Sequence, residues 1–186
     1  MTDETLPIIT RLGPADAARA AALFEAILDE EWLPEGVPSH DHIGRALADT
    51  TAVFVVASLS ENDTVSDVGF AMAFRLVSPL KPHAEAYLDD VFVAEEHREK
   101  GVGKALVEAV KTHMALANVP VLWIATDADN EPMTALMDNQ EGSERTDDVV
   151  HYALELAVPA PVKPQDKNQP QNKNSGQKKP HQGKRL

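Results

Sequence analysis

A chain of 186 residues with 13 Pro, 9 Gly, no Cys and a formal net charge of −13 has the size of one domain and can bury a core. The lack of cysteine excludes a disulfide framework, a thiolate metal site and any route that parks a group on an enzyme cysteine. The longest apolar run, Ala52–Ala57, is far shorter than the roughly 20 residues of a membrane span, and the acidic start Met1–Thr5 lacks the basic flank of a secretory signal, so a cytoplasmic protein with no membrane partner is expected.

The charge is unevenly spread. From Ala157 onward seven Lys and Arg stand against one acid, Asp166, giving +6, so residues 1–156 carry −19. The segment 157–186 is Pro, Gln, Asn and Lys with almost no large apolar side chain, and it is expected to be a disordered basic tail beside a domain at 1–156. An acidic domain argues against nucleic acid and for a small cationic ligand, because clefts of one sign concentrate the other.

Taken in order, Ile8–Leu12 reads as a short strand, and Gly13-Pro14 opens a helix with Asp16 in its first turn. Ala17, Ala20, Ala21, Phe24, Ile27 and Leu28 then form an inward stripe to about Glu30. Trp32–Pro38 is a loop, and Ser39 caps a second helix with Ile43, Ala46 and Leu47 inside. Thr51–Leu59 and Val68–Val77 pair as a hairpin across a polar turn at 60–63. Ala84–Val93 is a strand that carries Glu85, Asp89 and Asp90. After Arg98-Glu99-Lys100-Gly101-Val102-Gly103 comes a helix with Leu106, Val110 and Met114 on its apolar face. Val121–Thr126 is a strand, Asp129 or Asn130 caps a short helix to about Met137, and Val149–Leu156 is the last strand. This order describes an α/β domain with a mixed sheet.

Glycines after the Leu88–Val93 strand let the backbone bend tightly, and a helix start aims free N–H groups at one point, which suits a diphosphate. The loop is neither a Walker loop nor a complete Gly-x-Gly-x-x-Gly, since Leu106 fills the third glycine site. Arg-x-x-Gly-x-Gly after an Asp-x-x-Val strand, with Asn130 beyond the next strand, resembles the GNAT superfamily of N-acetyltransferases. The resemblance implies a mostly antiparallel central sheet flanked by helices on both faces, and acetyl-CoA as co-substrate. By position, the backbone of Phe92 and Val93 would face the pantetheine arm. Arg98, Glu99, Lys100, Gly101, Val102, Gly103 and Lys104 would surround the pyrophosphate, with Asn130 at a further coenzyme contact. Arg11–Pro14, Tyr87–Val91, Glu95–Arg98 and His151 look like type I aminoglycoside 3-N-acetyltransferases, which implies an aminoglycoside or similar polyamine acceptor and antibiotic resistance. Homodimers are common among those enzymes.

Acetyl transfer to an amine needs a base, a donor for the developing oxyanion and a proton for the leaving thiolate. Asp90 is the candidate base, with Glu85 and Asp89 in support, because carboxylates are unusual inside a strand and like neighbours raise a carboxyl pKa. Period two sets Glu85 and Asp89 on one face and Asp90 on the other unless a bulge intervenes. A backbone N–H within Val91–Val93 is the donor that the family implies. Met137 stands where the family often has a proton-giving Tyr, so water is left to protonate the thiolate. His40 and His42 suggest no metal site, because i and i+2 on a helix face apart. His97 and His151 read as hydrogen-bonded structural residues, and Trp32 and Trp123 as packing. The other acceptor is a protein or metabolite amine; a non-catalytic acyl-CoA-binding module is the rival to an enzyme.

Overall fold

The computed structural model describes residues 6–61, 64–150 and 154. By its internal contacts the chain divides into residues 1–145 and residues 146–186. In the first unit, β1 (Ile8–Arg11) leads through a 3-10 turn into α1 (Ala17–Ile27) and α2 (His40–Leu47). Next come β2 (Ala52–Glu61), β3 (Thr64–Leu76) and β4 (Glu85–Val93), then α3 (Val102–Leu116), β5 (Leu122–Ile124) and α4 (Glu131–Asp138). The strands lie in sequence order in one sheet. All neighbours are antiparallel except β4 and β5, so the sheet is mixed and mostly antiparallel, as expected.

In the second unit, residues 146–150 and 154 are exposed and carry no helix or strand. Val149 and Val150, expected to begin a last strand, bury too little to hold one. The rest of that strand, with His151 and Tyr152, and the whole 157–186 tail fall outside the described residues. Among the described residues no helix is long and apolar enough to cross a membrane.

β2 reads as an unbroken apolar run because both its faces are buried. Val53, Val55 and Ala57 point to one side, where they meet Leu106, Val107, Val110 and Met114 of α3. Phe54 and Val56 point to the other, against Ala20 and Leu23 of α1 and Ile43 of α2. Leu23 and Val107 lie outside the expected stripes yet are buried, because helix neighbours widen each stripe beyond a single row. Ser60 and Glu61, expected in the turn, extend β2 by pairing with Val65 and Thr64; ladder hydrogen bonds accept polar residues once the register is set. α1 stops at Ile27, before the expected Glu30, because Leu28 turns extended with its N–H still on the Phe24 carbonyl.

A bidentate ion pair fixes α1 to the sheet. Arg19 Nε and Nη2 donate to the two oxygens of Asp67 at 2.7 Å each, and Ser58 Oγ adds a third bond to the same carboxylate at 2.7 Å. The arginine holds the Asp67 carboxyl below its ordinary value.

One irregularity sets the geometry of everything that follows. Met72 pairs with Asp90 and Ala73 with Leu88, so Asp89 is an extra residue in β4. This bulge reverses the alternation. Glu85, Tyr87, Asp90 and Phe92 therefore share the α1 face, and Asp90 does not oppose Glu85 as strict period two requires. β5 spans three residues rather than the six expected, because β4 bends away beyond the Leu88–Ile124 pair.

Candidate active site

The α1 face of β4 carries a hollow of about 180 Å³ whose walls include Phe24, Trp32, Leu33, Met72 and Phe92. Its other lining residues are also apolar apart from Asp90, the single ionisable one. The rings form an ordered wall. Phe54, Phe70 and Phe92, on adjacent strands, stack with centroids 5.3 and 6.0 Å apart. Phe24 from α1 meets Phe54 and Phe70 edge-on at 5.8 and 5.3 Å. Trp32 closes the other end, edge-on to Phe92 at 5.1 Å. The loop after α1 presents that indole. Asp29 Oδ1 accepts from the N–H groups of Glu31 and Trp32, and Leu33 N–H reaches the Asp29 carbonyl, so the chain turns back over the sheet. Trp32 still exposes 55% of its surface, where packing had been expected.

The three strand carboxylates take different places. Asp90 is half-buried against the rings, and burial, helped by the Asp89 charge, pushes its carboxyl above the ordinary value of 3.8. Asp89, the bulge residue, is exposed. Glu85 bonds Lys81, and that partner holds its carboxyl below the usual range, with the Trp123 indole adding to the effect. Geometry thus separates Asp90 from an ion-paired Glu85.

β4 also has an open edge. Ala94 N–H donates to Val68 O on β3, so the trans peptide turns the Val93 carbonyl the other way, and alternation sends the backbone groups of Val91 and Val93 there too. No strand among the described residues pairs with that edge past Leu88. Phe92, whose backbone had been expected beside the coenzyme, faces β3, while Val91, within the expected donor stretch Val91–Val93, shares the open edge with Val93. Close approach of β3 holds this geometry, since a Cβ on Gly69 would stand 2.5 Å from the Phe92 oxygen.

The loop behind this edge ends at Gly101, which caps α3 with φ of 77°, and Glu99 is also left-handed at 61°. The first helical bond runs from Ala105 N–H to Gly101 O, which leaves the N–H groups of Val102, Gly103 and Lys104 pointing off the helix start. Lys100 and Lys104 are exposed beside them, and open space surrounds Gly101. These groups fit a diphosphate. Arg98 lies differently from the expectation: its Nε donates to the Val93 carbonyl at 3.1 Å and so secures the loop to the strand. Asn130 is 3.2 Å from Met133 N–H and caps α4 through Oδ1; its amide nitrogen keeps no partner among the described residues. Met137 packs against the α3-side core.

Other expectations resolve plainly. Trp123, read as packing, is 53% exposed because β5 is an edge strand. His97, read as hydrogen-bonded, has a mostly buried ring whose Nδ1 has no partner among the described residues. His40 and His42 are exposed on α2, and no cluster of three potential metal ligands exists among the described residues. A wider groove between α1 and residues 37–40 is walled by alanines and Glu25, away from β4. The ring-lined hollow was missed because each Phe sits in an apolar run that reads as core. The available signal was numerical: four of the chain's five phenylalanines converge here.

A family model described as the acetyltransferase (GNAT) family matches residues 18–140. Among solved structures, the chain is similar to an aminoglycoside acetyltransferase, HMB0005, from an uncultured soil metagenomic sample. Identity is 25%, covering 82% of this chain and 99% of that one, with a TM-score of 0.69. A second soil metagenomic aminoglycoside acetyltransferase, meta-AAC0020, solved with sisomicin, shares 21% identity over 81% of this chain and 97% of its own, at a TM-score of 0.67. The aminoglycoside N-acetyltransferase AAC(6')-Iy, solved with CoA, shares 18% over 84% and 99%, at 0.64. No curated protein matches.

Proposed function

The chain belongs to the GNAT acetyltransferase family, and from that premise we propose that it moves acetyl directly from acetyl-CoA to a small primary amine that enters at Asp90. Membership makes it an acyl-CoA-dependent N-acetyltransferase, with acetyl-CoA as co-substrate. The observation that carries the acceptor side is the placement of Asp90: a half-buried carboxylate, alone among apolar walls, next to the open edge of β4.

The coenzyme, when bound, supplies an acetyl group activated as a thioester. The chain's residues do the rest. The N–H groups of Val102, Gly103 and Lys104, with Gly101 and Lys100 around them, hold the pyrophosphate, while Arg98 ties the loop to β4 and Glu99 shapes the turn. Val93 offers its backbone to the pantetheine amides, with Phe92 fixing the strand behind it, and the Asn130 amide nitrogen, which has no partner among the described residues, gives a further coenzyme contact. Asp90 binds the incoming ammonium and takes its proton, and its raised pKa makes it a better base than an ordinary aspartate. Asp89 keeps that pKa up. Glu85, held by Lys81, adds negative potential without taking protons. The amine nitrogen then bonds the acyl carbon, Val91 N–H steadies the oxyanion, the carbon–sulfur bond breaks, and water protonates the thiolate.

Two acceptor classes have support. A polycationic aminosugar is favoured by the charge of −19 on residues 1–156 and by the names of the similar structures, and acetylation at a 3-amino group by the resemblance in residues 87–98 alone. An amine on an apolar skeleton is favoured by the ring-lined hollow. Thiol release from acetyl-CoA across a panel of amines tests the reading. With the best amine, Asp90→Asn should lower kcat by about a hundredfold or more while acetyl-CoA affinity stays within about twofold, the range for a lost general base. An unchanged kcat would remove Asp90 from the role.

A further inference from the structure

The hollow above Asp90 discriminates between those acceptor classes. Its volume, about 180 Å³, is close to the roughly 150 Å³ of an apolar cavity that holds one benzene ring. It therefore has room to seat one ring with a short chain. Its chemistry is as narrow as its size. Apart from Asp90 the lining side chains offer hydrocarbon and ring surface, with Met72 and Leu33 between the aromatics. The several hydroxyls of a sugar entering here give up water for only the Asp90 carboxylate and the Trp32 indole N–H as side-chain partners, whereas an aryl or alkyl group loses only unfavourable hydration. Charge is provided for once. A single ammonium would meet the Asp90 carboxylate and the negative ring faces of the wall; a second cation would find no second carboxylate among the lining residues. Trp32 is the exposed member of this wall, held over Phe92 by the Asp29 turn, so it is the surface that an incoming ring touches first.

We infer that the acceptor is a one-ring arylalkyl primary amine whose ammonium meets Asp90 and whose ring lies against Trp32 and Phe92, with Trp32 the residue that sets this preference. The inference rests on the reading of amine acetylation at Asp90 and narrows it. The reaction is unchanged: the amine nitrogen gains the acetyl carbon, its proton goes to Asp90, and the thiol leaves.

The test measures thiol release with saturating acetyl-CoA and three amines: 2-phenylethylamine, spermidine and glucosamine, with products checked by mass. The kcat/KM for 2-phenylethylamine should exceed the other two by at least about tenfold, the scale of burying one ring. Trp32→Ala should collapse that ratio, with the loss falling on KM for 2-phenylethylamine, and Trp32→Phe should restore most of it. Because Trp32 is largely solvent-exposed, thermal melting will show whether the variants keep the fold. Preference for spermidine or glucosamine, or an equal effect of Trp32→Ala on all three, overturns the inference and leaves amine acetylation standing. Coenzyme binding with no turnover of any amine overturns both.

Discussion

The carboxylate to which the chemistry is assigned by proposal costs the fold something. Asp90 is half-buried among phenyl rings beside Asp89, and both features disfavour its ionised form. An acid whose folded pKa lies above its unfolded value destabilises the fold once ionised. The penalty is absent below about 3.8, builds through the window up to the folded pKa, and is fully present above it. Asp90→Asn should therefore raise stability at pH 7, and the gap over wild type should close as the pH falls below about 4. Thermal melts of both proteins from pH 3 to 8 check this; a variant less stable than wild type at pH 7 would contradict it. The sequence made the three carboxylates of this strand conspicuous, since acids are scarce in strands. It set Asp90 apart as the candidate base but could not show its surroundings, because Lys81 reaches Glu85 across Pro82 and the bulge at Asp89 has no signature in residue type.

Strand β4 organises the two halves of the site. One extra residue turns Asp90 and Phe92 to the α1 face and sends the backbone of Val91 and Val93 to the open edge. Gly69 holds this arrangement, for a methyl group there would press on the Phe92 oxygen and the Val93 Cα. Gly69→Ala should destabilise the protein by about 1–3 kcal/mol, as overpacking does, and should weaken acetyl-CoA binding by moving the β4 edge. Urea unfolding and a coenzyme titration read the two effects; wild-type values in both would show that the strands part without consequence. At this scale helices were the more legible elements. The α3 stripe and its glycine start follow from spacing alone, whereas the ends of β2, β3 and β5 depend on partners far away in the chain. The aromatic wall was hidden for the same reason: Phe24, Phe54, Phe70 and Phe92 come from four elements, each with its own reason to be apolar.

Across the molecule, the sheet divides labour between its faces. One side packs α3, whose N-terminus and preceding loop offer unpaired N–H groups and two lysines to an anion; the other side packs α1 and α2 and shelters the ring-lined hollow. In the proposed reaction a thioester from one side meets an amine from the other at the open edge of β4. The fold class was readable from element order, and the glycine loop at the start of α3 from its residues. The ring-lined hollow became visible only in three dimensions. The most direct measurement is calorimetric titration of the full chain with acetyl-CoA and with S-acetylpantetheine, which carries the same thioester without the diphosphate. Acetyl-CoA should bind at least about a hundredfold more tightly, given several charge-assisted hydrogen bonds at a helix start. Equal affinity for the two, or no binding of acetyl-CoA, would contradict the account.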